Sequence, residues 1–176
     1  MKTKTSYALL LTLLFGVTAC GGPDAGEGRK VEASGKETTA LDAVPTEVLA
    51  VAMASKPELM VSQAEYETRD GNEYYDVGGT LPDGSELELD MTRVDGVWTV
   101  VEIQRDIGMD TLPENVSNTL GSKFPAWKPE RIIESDQGDG VIVYEFFGED
   151  DSGEAIKIEI MWADGQAELL VDEWAH

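Results

Sequence analysis

Apolar residues recur every three to four positions in two short stretches of this chain, and every second position through most of the remainder. Residues 45–55 and 113–123 each open on a proline, Pro45 or Pro113. Apolar residues four apart follow, Val48 and Ala52 in one and Val116 and Leu120 in the other, so both stretches are predicted as short amphipathic helices. Elsewhere period two takes over, punctuated by turn residues. Asp70-Gly71, Pro82-Asp83-Gly84 and Asp95-Gly96 divide the first half into strands near 59–69, 73–81, 85–93 and 97–104. Gly138-Asp139-Gly140, Asp151-Ser152-Gly153 and Asp164-Gly165 do the same in the second half.

The two halves correspond at a shift of 68 to 69 residues. Val44-Pro45 returns as Leu112-Pro113, Tyr75-Asp76-Val77 as Tyr144-Glu145-Phe146, Leu87, Leu89 and Met91 as Ile156, Ile158 and Ile160, and Asp95-Gly96 as Asp164-Gly165. The expected fold class is therefore α+β: two tandem repeats, residues 43–107 and 108–176, each a short helix packed on a four-stranded antiparallel sheet. One such unit is marginal alone, which favours packing of the two together.

The second half also carries Phe124-Pro125-x-Trp127 after its helix, Val-Tyr-Glu-Phe at 143–146 and a Gly-led strand from Gly153 to Ile160. In these features the chain resembles the PepSY-like proteins, small envelope modules akin to β-lactamase inhibitory protein. The first half departs from that pattern, with Lys56 where an aromatic residue would precede Pro57. The resemblance implies helices on one face of an antiparallel sheet and a partner protein bound on the other.

Strand alternation assigns side chains to faces. Ile156, Ile158, Ile160 and Trp162 share one face and read as core, whereas both faces of the neighbouring strands carry apolar groups: Tyr144 and Phe146 oppose Val143 and Phe147, and Leu169 opposes Leu170 and Trp174. With the helices on one face, the other is expected to expose Tyr74, Trp98, Phe147, Leu170 and Trp174 among acids such as Glu86, Glu88 and Asp90. An aromatic patch ringed by charge suits protein binding. Burial by loops, between units or by self-association is the competing reading of the same residues. Trp98 fits the patch least well, because the repeat sets it against Ala167 on the core side.

Upstream of the repeats the pattern changes. Met1 to Thr5 hold Lys2 and Lys4, and residues 7–17 are almost wholly apolar. That run is about half the length needed to span a bilayer, so it reads as a signal sequence. It ends in Val17-Thr18-Ala19-Cys20, which resembles the lipobox of bacterial lipoproteins. The resemblance implies cleavage after residue 19, lipid on Cys20 and, with Gly21 rather than Asp next, the outer membrane of a Gram-negative cell. Residues 20–42 are polar and without period, and are expected to be a flexible tether reaching roughly 25 Å.

Charge narrows the partners. With 13 basic and 35 acidic residues the chain carries a formal charge of −22, and loss of Lys2 and Lys4 with the signal sequence makes that −24. Nucleic acid is disfavoured, since its phosphates would be repelled. Basic proteins are compatible with this charge, and so, as weak ligands, are divalent cations. Catalysis is not expected: the sole histidine is His176 at the end, the sole cysteine is Cys20, and acids are too numerous for any pair to stand out. No cofactor is implied. The segments 136–140 and 148–153 faintly resemble calcium loops but lack EF-hand spacing and coincide with hairpin turns. The sequence thus points to a non-catalytic, membrane-tethered binding module, with an acidic cation-binding or structural lipoprotein as the alternative.

Overall fold

A computed structural model describes residues 28–30, 36–69, 71–172 and 174. The signal sequence, Val17, Thr18, Ala19 and Cys20 lie outside the described residues. The elements are β1 (Arg29–Lys30), β2 (Glu37–Thr38), α1 (Thr46–Ser55), β3 (Met60–Arg69), β4 (Asn72–Thr80), β5 (Glu86–Val94) and β6 (Val97–Asp106), then a 3-10 turn at Met109–Thr111, α2 (Glu114–Lys123), β7 (Arg131–Asp136), β8 (Val141–Glu149), β9 (Ala155–Ala163) and β10 (Gln166–Leu169). Each helix begins one residue after its proline, which serves as N-cap.

The strands form one antiparallel sheet in the order β1-β9-β8-β7-β6-β5-β4-β3-β2, with β10 also paired to β9. This overturns the expected fold class. There are not two repeats with a four-stranded sheet each, because β6 pairs directly with β7, from Ile103 opposite Asp136 to Asp106 opposite Ile133. The physical reason lies in the edges. Two separate sheets would leave β6 and β7 with unpaired backbone groups, and the α2 crossover lays β7 antiparallel along β6 so that each satisfies the other.

Part of the expected tether is also ordered. β1 pairs with β9, and β2 pairs with β3. These two-residue strands cover backbone that would otherwise be open edge. The hairpin turns form where Asp-Gly was read: Asp95 and Gly96 adopt φ of 52° and 82°, and Asp164 and Gly165 adopt 51° and 74°. Both central residues of such a two-residue turn need positive φ, which Asp tolerates and Gly adopts freely.

One sheet face is covered by the helices. α1 packs against β4 and β6, and α2 against β9 and β10. Val48 and Ala52 of α1 join a core with Val77, Leu89 and Met91, and Val116 and Leu120 of α2 join one with Phe146, Ile158 and Ile160. Trp98 belongs to this core, with its ring edge-on to Tyr75 at 5.3 Å, and so leaves the proposed partner-binding set. A β-bulge causes this: Asp90 opposes Glu102 while Met91 opposes Val100, so an extra residue in β6 turns Val100 and Trp98 inward while Glu102 stays on the opposite face.

Candidate functional site

The face away from the helices is lined by acids at strand centres. Asp76 pairs across the ladder with Asp90, Asp90 with Glu102, and Glu145 with Glu159. In sequence these acids alternate with core residues, as in Tyr75-Asp76-Val77, Leu89-Asp90-Met91 and Ile158-Glu159-Ile160, which by itself describes a solvated face. The structure buries them instead: Asp76 is 5% exposed, Asp90 7%, Glu102 4% and Glu159 0%. Carboxylates so placed need partners, because an isolated buried charge is costly.

The second half supplies them. Glu159 Oε2 accepts a charged hydrogen bond from Arg29, and its Oε1 lies 2.9 Å from Lys157 Nζ, which is 3.7 Å from Glu145. The chain's last described residue joins in. The backbone N–H of Trp174 donates to Glu159 at 3.0 Å, and its indole N–H donates to Gln137, whose amide donates to Glu102. Leu170 N–H donates to the Glu159 carbonyl, and Arg29 donates to the Leu170 carbonyl. Two bases thus face two acids, and segments near both chain ends are pinned to β9.

In the first half, Lys36 Nζ lies 2.5 Å from Asp76 and 4.0 Å from Glu88. One carboxylate oxygen from each of Asp76, Glu88 and Asp90 lies within 4.8 Å of the others. Asp90 Oδ2 receives a long hydrogen bond of 3.4 Å from Gln104, and Asp90 Oδ1 is buried without a hydrogen-bond partner. Among the described residues, Lys36 thus ion-pairs with two of these three acids, Asp76 and Glu88. A groove of about 100 Å³ adjoins this cluster, lined by Gln63, Glu88, Gln104, Asp106 and Arg131 among others.

Protonation follows from these environments. Burial pushes the Asp90 carboxyl well above the ordinary range, reinforced by Asp76, Glu102 and Glu88. Burial likewise raises Glu88, with Lys36 opposing it. For Lys36, burial works against the charge, but Asp76, Asp90 and Glu88 outweigh it and hold the ammonium protonated. Burial raises Glu145 to about 7, with Lys157 opposing and Glu159 assisting.

A pH dependence follows. Because the folded-state pKa of Glu145 lies above its unfolded value, the folded protein holds more protons between the two. The associated stability is fully present below the ordinary glutamate range and is lost as pH rises through about 7. Asp90 and Glu88 shift in the same direction. The melting temperature should therefore fall from about pH 5 to about pH 8, and Glu145→Gln should flatten that fall. A wild-type curve that rises over this interval would contradict the assignment.

The remaining aromatic residues of the expected patch do not form one surface. Tyr74 is buried under the Arg69 guanidinium, 4.5 Å from its ring centre, and lies four strands from Phe147, roughly 19 Å at ordinary strand spacing. Phe147, Leu170 and Trp174 do gather, half-buried, around β9: Phe147 pairs with Lys157, and the other two bond to Glu159. Three acids of the segments faintly like calcium loops accept hydrogen bonds from turn backbone. Asp136 accepts from Gly138 N–H, Asp139 from Val141 N–H, and Asp150 from the N–H groups of Ser152 and Glu154.

Sequence reasoning named Glu88 and Asp90 only as charges around the aromatic patch, and did not single out Asp76, Glu145, Glu159 or the bases Lys36, Lys157 and Arg29. A signal was present, since the shift of 69 residues sets Asp76 against Glu145 and Asp90 against Glu159, acid against acid at mid-strand in both halves.

No helix among the described residues is long and apolar enough to cross a membrane. No protein-family model matches the chain, and no curated protein matches it. Among solved structures it is similar to a Bacteroides vulgatus protein of the DUF2874 family, described as periplasmic, at 18% identity over 79% of this chain and 97% of that one. The TM-score of that similarity is 0.30, too low to establish a shared fold.

Proposed function

We propose that this protein is an exported, lipid-tethered, non-catalytic binding module that takes a protein partner on the sheet face its helices leave uncovered. The observation that carries the reading is the composition of that face around β9, where the half-buried Phe147, Leu170 and Trp174 sit beside the buried carboxylates Glu159 and Glu102. Apolar anchors among charges are how specific protein surfaces are built. The acidity of the whole chain, with 35 acids against 13 bases, suits a partner that presents basic groups. The tether rests on Val17-Thr18-Ala19-Cys20 and its place after an apolar run. The non-catalytic reading rests on the chain's lack of a second histidine or cysteine.

One fractionation experiment tests both parts. Wild-type protein should sediment with membranes and retain its partner through crosslinking and capture. Cys20→Ala should move the protein to the soluble fraction. Phe147→Ala should leave it on the membrane, folded, with the partner lost by about tenfold or more. A Cys20→Ala variant that still sediments would refute the lipid anchor, and undiminished capture by Phe147→Ala would remove this face as the binding surface.

A further inference from the structure

We propose that Asp76, Glu88 and Asp90 form a divalent-cation site on the uncovered face, and that Lys36 is a built-in cation which the metal displaces. The proposal rests on the reading of this face as the binding face and names a ligand for it. Calcium-class ions hold oxygen ligands at about 2.3–2.6 Å, so two ligands of one ion are separated by no more than about 5 Å. The three carboxylates, each offering an oxygen within 4.8 Å of the others, meet that limit without rearrangement. Their donor set is all oxygen, which selects hard ions over zinc or copper.

An acidic cluster by itself would be ordinary in so acidic a chain. What marks this one is Asp90 Oδ1, buried with no hydrogen-bond partner in a residue only 7% exposed; the other carboxylate oxygen so placed among the described residues, Glu159 Oε1, has the Lys157 ammonium 2.9 Å away. A buried carboxylate oxygen without a donor calls for a partner, and a cation is one that serves it. The second half provides the internal comparison. There the matching pair Glu145 and Glu159 faces both Arg29 and Lys157, so charge is balanced within the chain. Here, among the described residues, Lys36 is the base within ion-pair distance of the cluster, reaching Asp76 and Glu88 but not Asp90. A divalent ion would supply the missing positive charge.

Lys36 supports the reading by its position. Its ammonium lies against Asp76 and 4.0 Å from Glu88, where a cation would be held. It comes from the short segment entering β2 and not from a sheet strand, so its long side chain can withdraw while the carboxylates stay fixed. Glu88 also lines the adjoining groove, which gives an ion a route from solvent. Competition from Lys36 makes the site weak, in the range of about 0.1–1 mM typical of extracellular calcium modules.

The test is calorimetric titration of the full-length protein with calcium chloride. Wild type should show saturable one-to-one heat. Lys36→Met should tighten binding by about tenfold, and Asp90→Asn should weaken it by at least about tenfold. Glu88→Gln, at a less buried position, should weaken it too and serves if Asp90→Asn does not fold. Glu145→Gln should leave the affinity unchanged, because it removes an acid of equal charge outside the cluster.

The proposal is overturned if neither wild type nor Lys36→Met gives saturable heat below about 10 mM calcium. It is equally overturned if Glu145→Gln weakens binding as much as Glu88→Gln, which is the signature of diffuse screening. Absent calcium binding with partner capture intact removes the metal site and spares the binding module. Calcium binding without any captured partner does the reverse.

Discussion

Phe146→Ala is expected to destabilise the whole protein by about 3–5 kcal/mol, and to do so in both halves at once. Phe146 is among the largest fully buried side chains and shares a core with Val116 and Leu120 of α2 and with Ile158. Removing its ring deletes apolar burial and leaves a cavity that a sheet face held by ladder bonds can close only in part. The spread to the first half follows from the β6–β7 pairing, which makes one sheet of what would otherwise be two. Hydrogen exchange decides the point. Amides of β4 and β5, such as Val77 and Leu89, should lose protection together with those of β8 and β9. Exchange that accelerates only from β7 onward would show that the halves unfold separately.

Glu159→Ala should be comparably severe, about 3–5 kcal/mol, for an electrostatic reason. Replacing a whole buried ion pair by apolar groups can be neutral, but removing one partner leaves the others charged and unpaired. Here Arg29 and Lys157 would both lose Glu159, and the backbone N–H of Trp174 would lose its acceptor. The cost has a visible location, since Glu159 fastens β1 near one chain end and residues 170–174 near the other. Limited trypsin digestion should therefore cut after Arg29 or Lys30 well before the sheet is attacked. Denaturation within about 1 kcal/mol of wild type, with no early cut at these sites, would show that the network contributes little.

These two residues illustrate what could be read without a structure. Phe146 was legible: it alternates with Tyr144 in a strand bounded by Gly138-Asp139-Gly140 and Asp151-Ser152-Gly153, and its burial follows from period two. Glu159 occupies an equally plain strand position between Ile158 and Ile160, yet alternation assigns it to solvent. Its burial comes from Arg29, 130 residues away, and from Trp174. No local pattern carries a contact of that separation. Trp98 failed for a third reason, because the bulge in β6 changes the pleat at one residue and turns the strand beyond it over.

Local chemistry therefore determined the helices behind Pro45 and Pro113, the strands and the Asp-Gly turns, since each depends on φ, ψ and side-chain period within a few residues. It also marked Cys20 as the residue for which a chemical fate could be named. Only the tertiary structure decided that β6 joins β7, that the carboxylates of the uncovered face are buried, and that Lys36 pairs with Asp76 and Glu88 while Arg29 and Lys157 serve Glu145 and Glu159. Those outcomes depend on unpaired strand edges and buried charges finding partners across the chain, and such long-range pairing leaves no periodicity in the sequence.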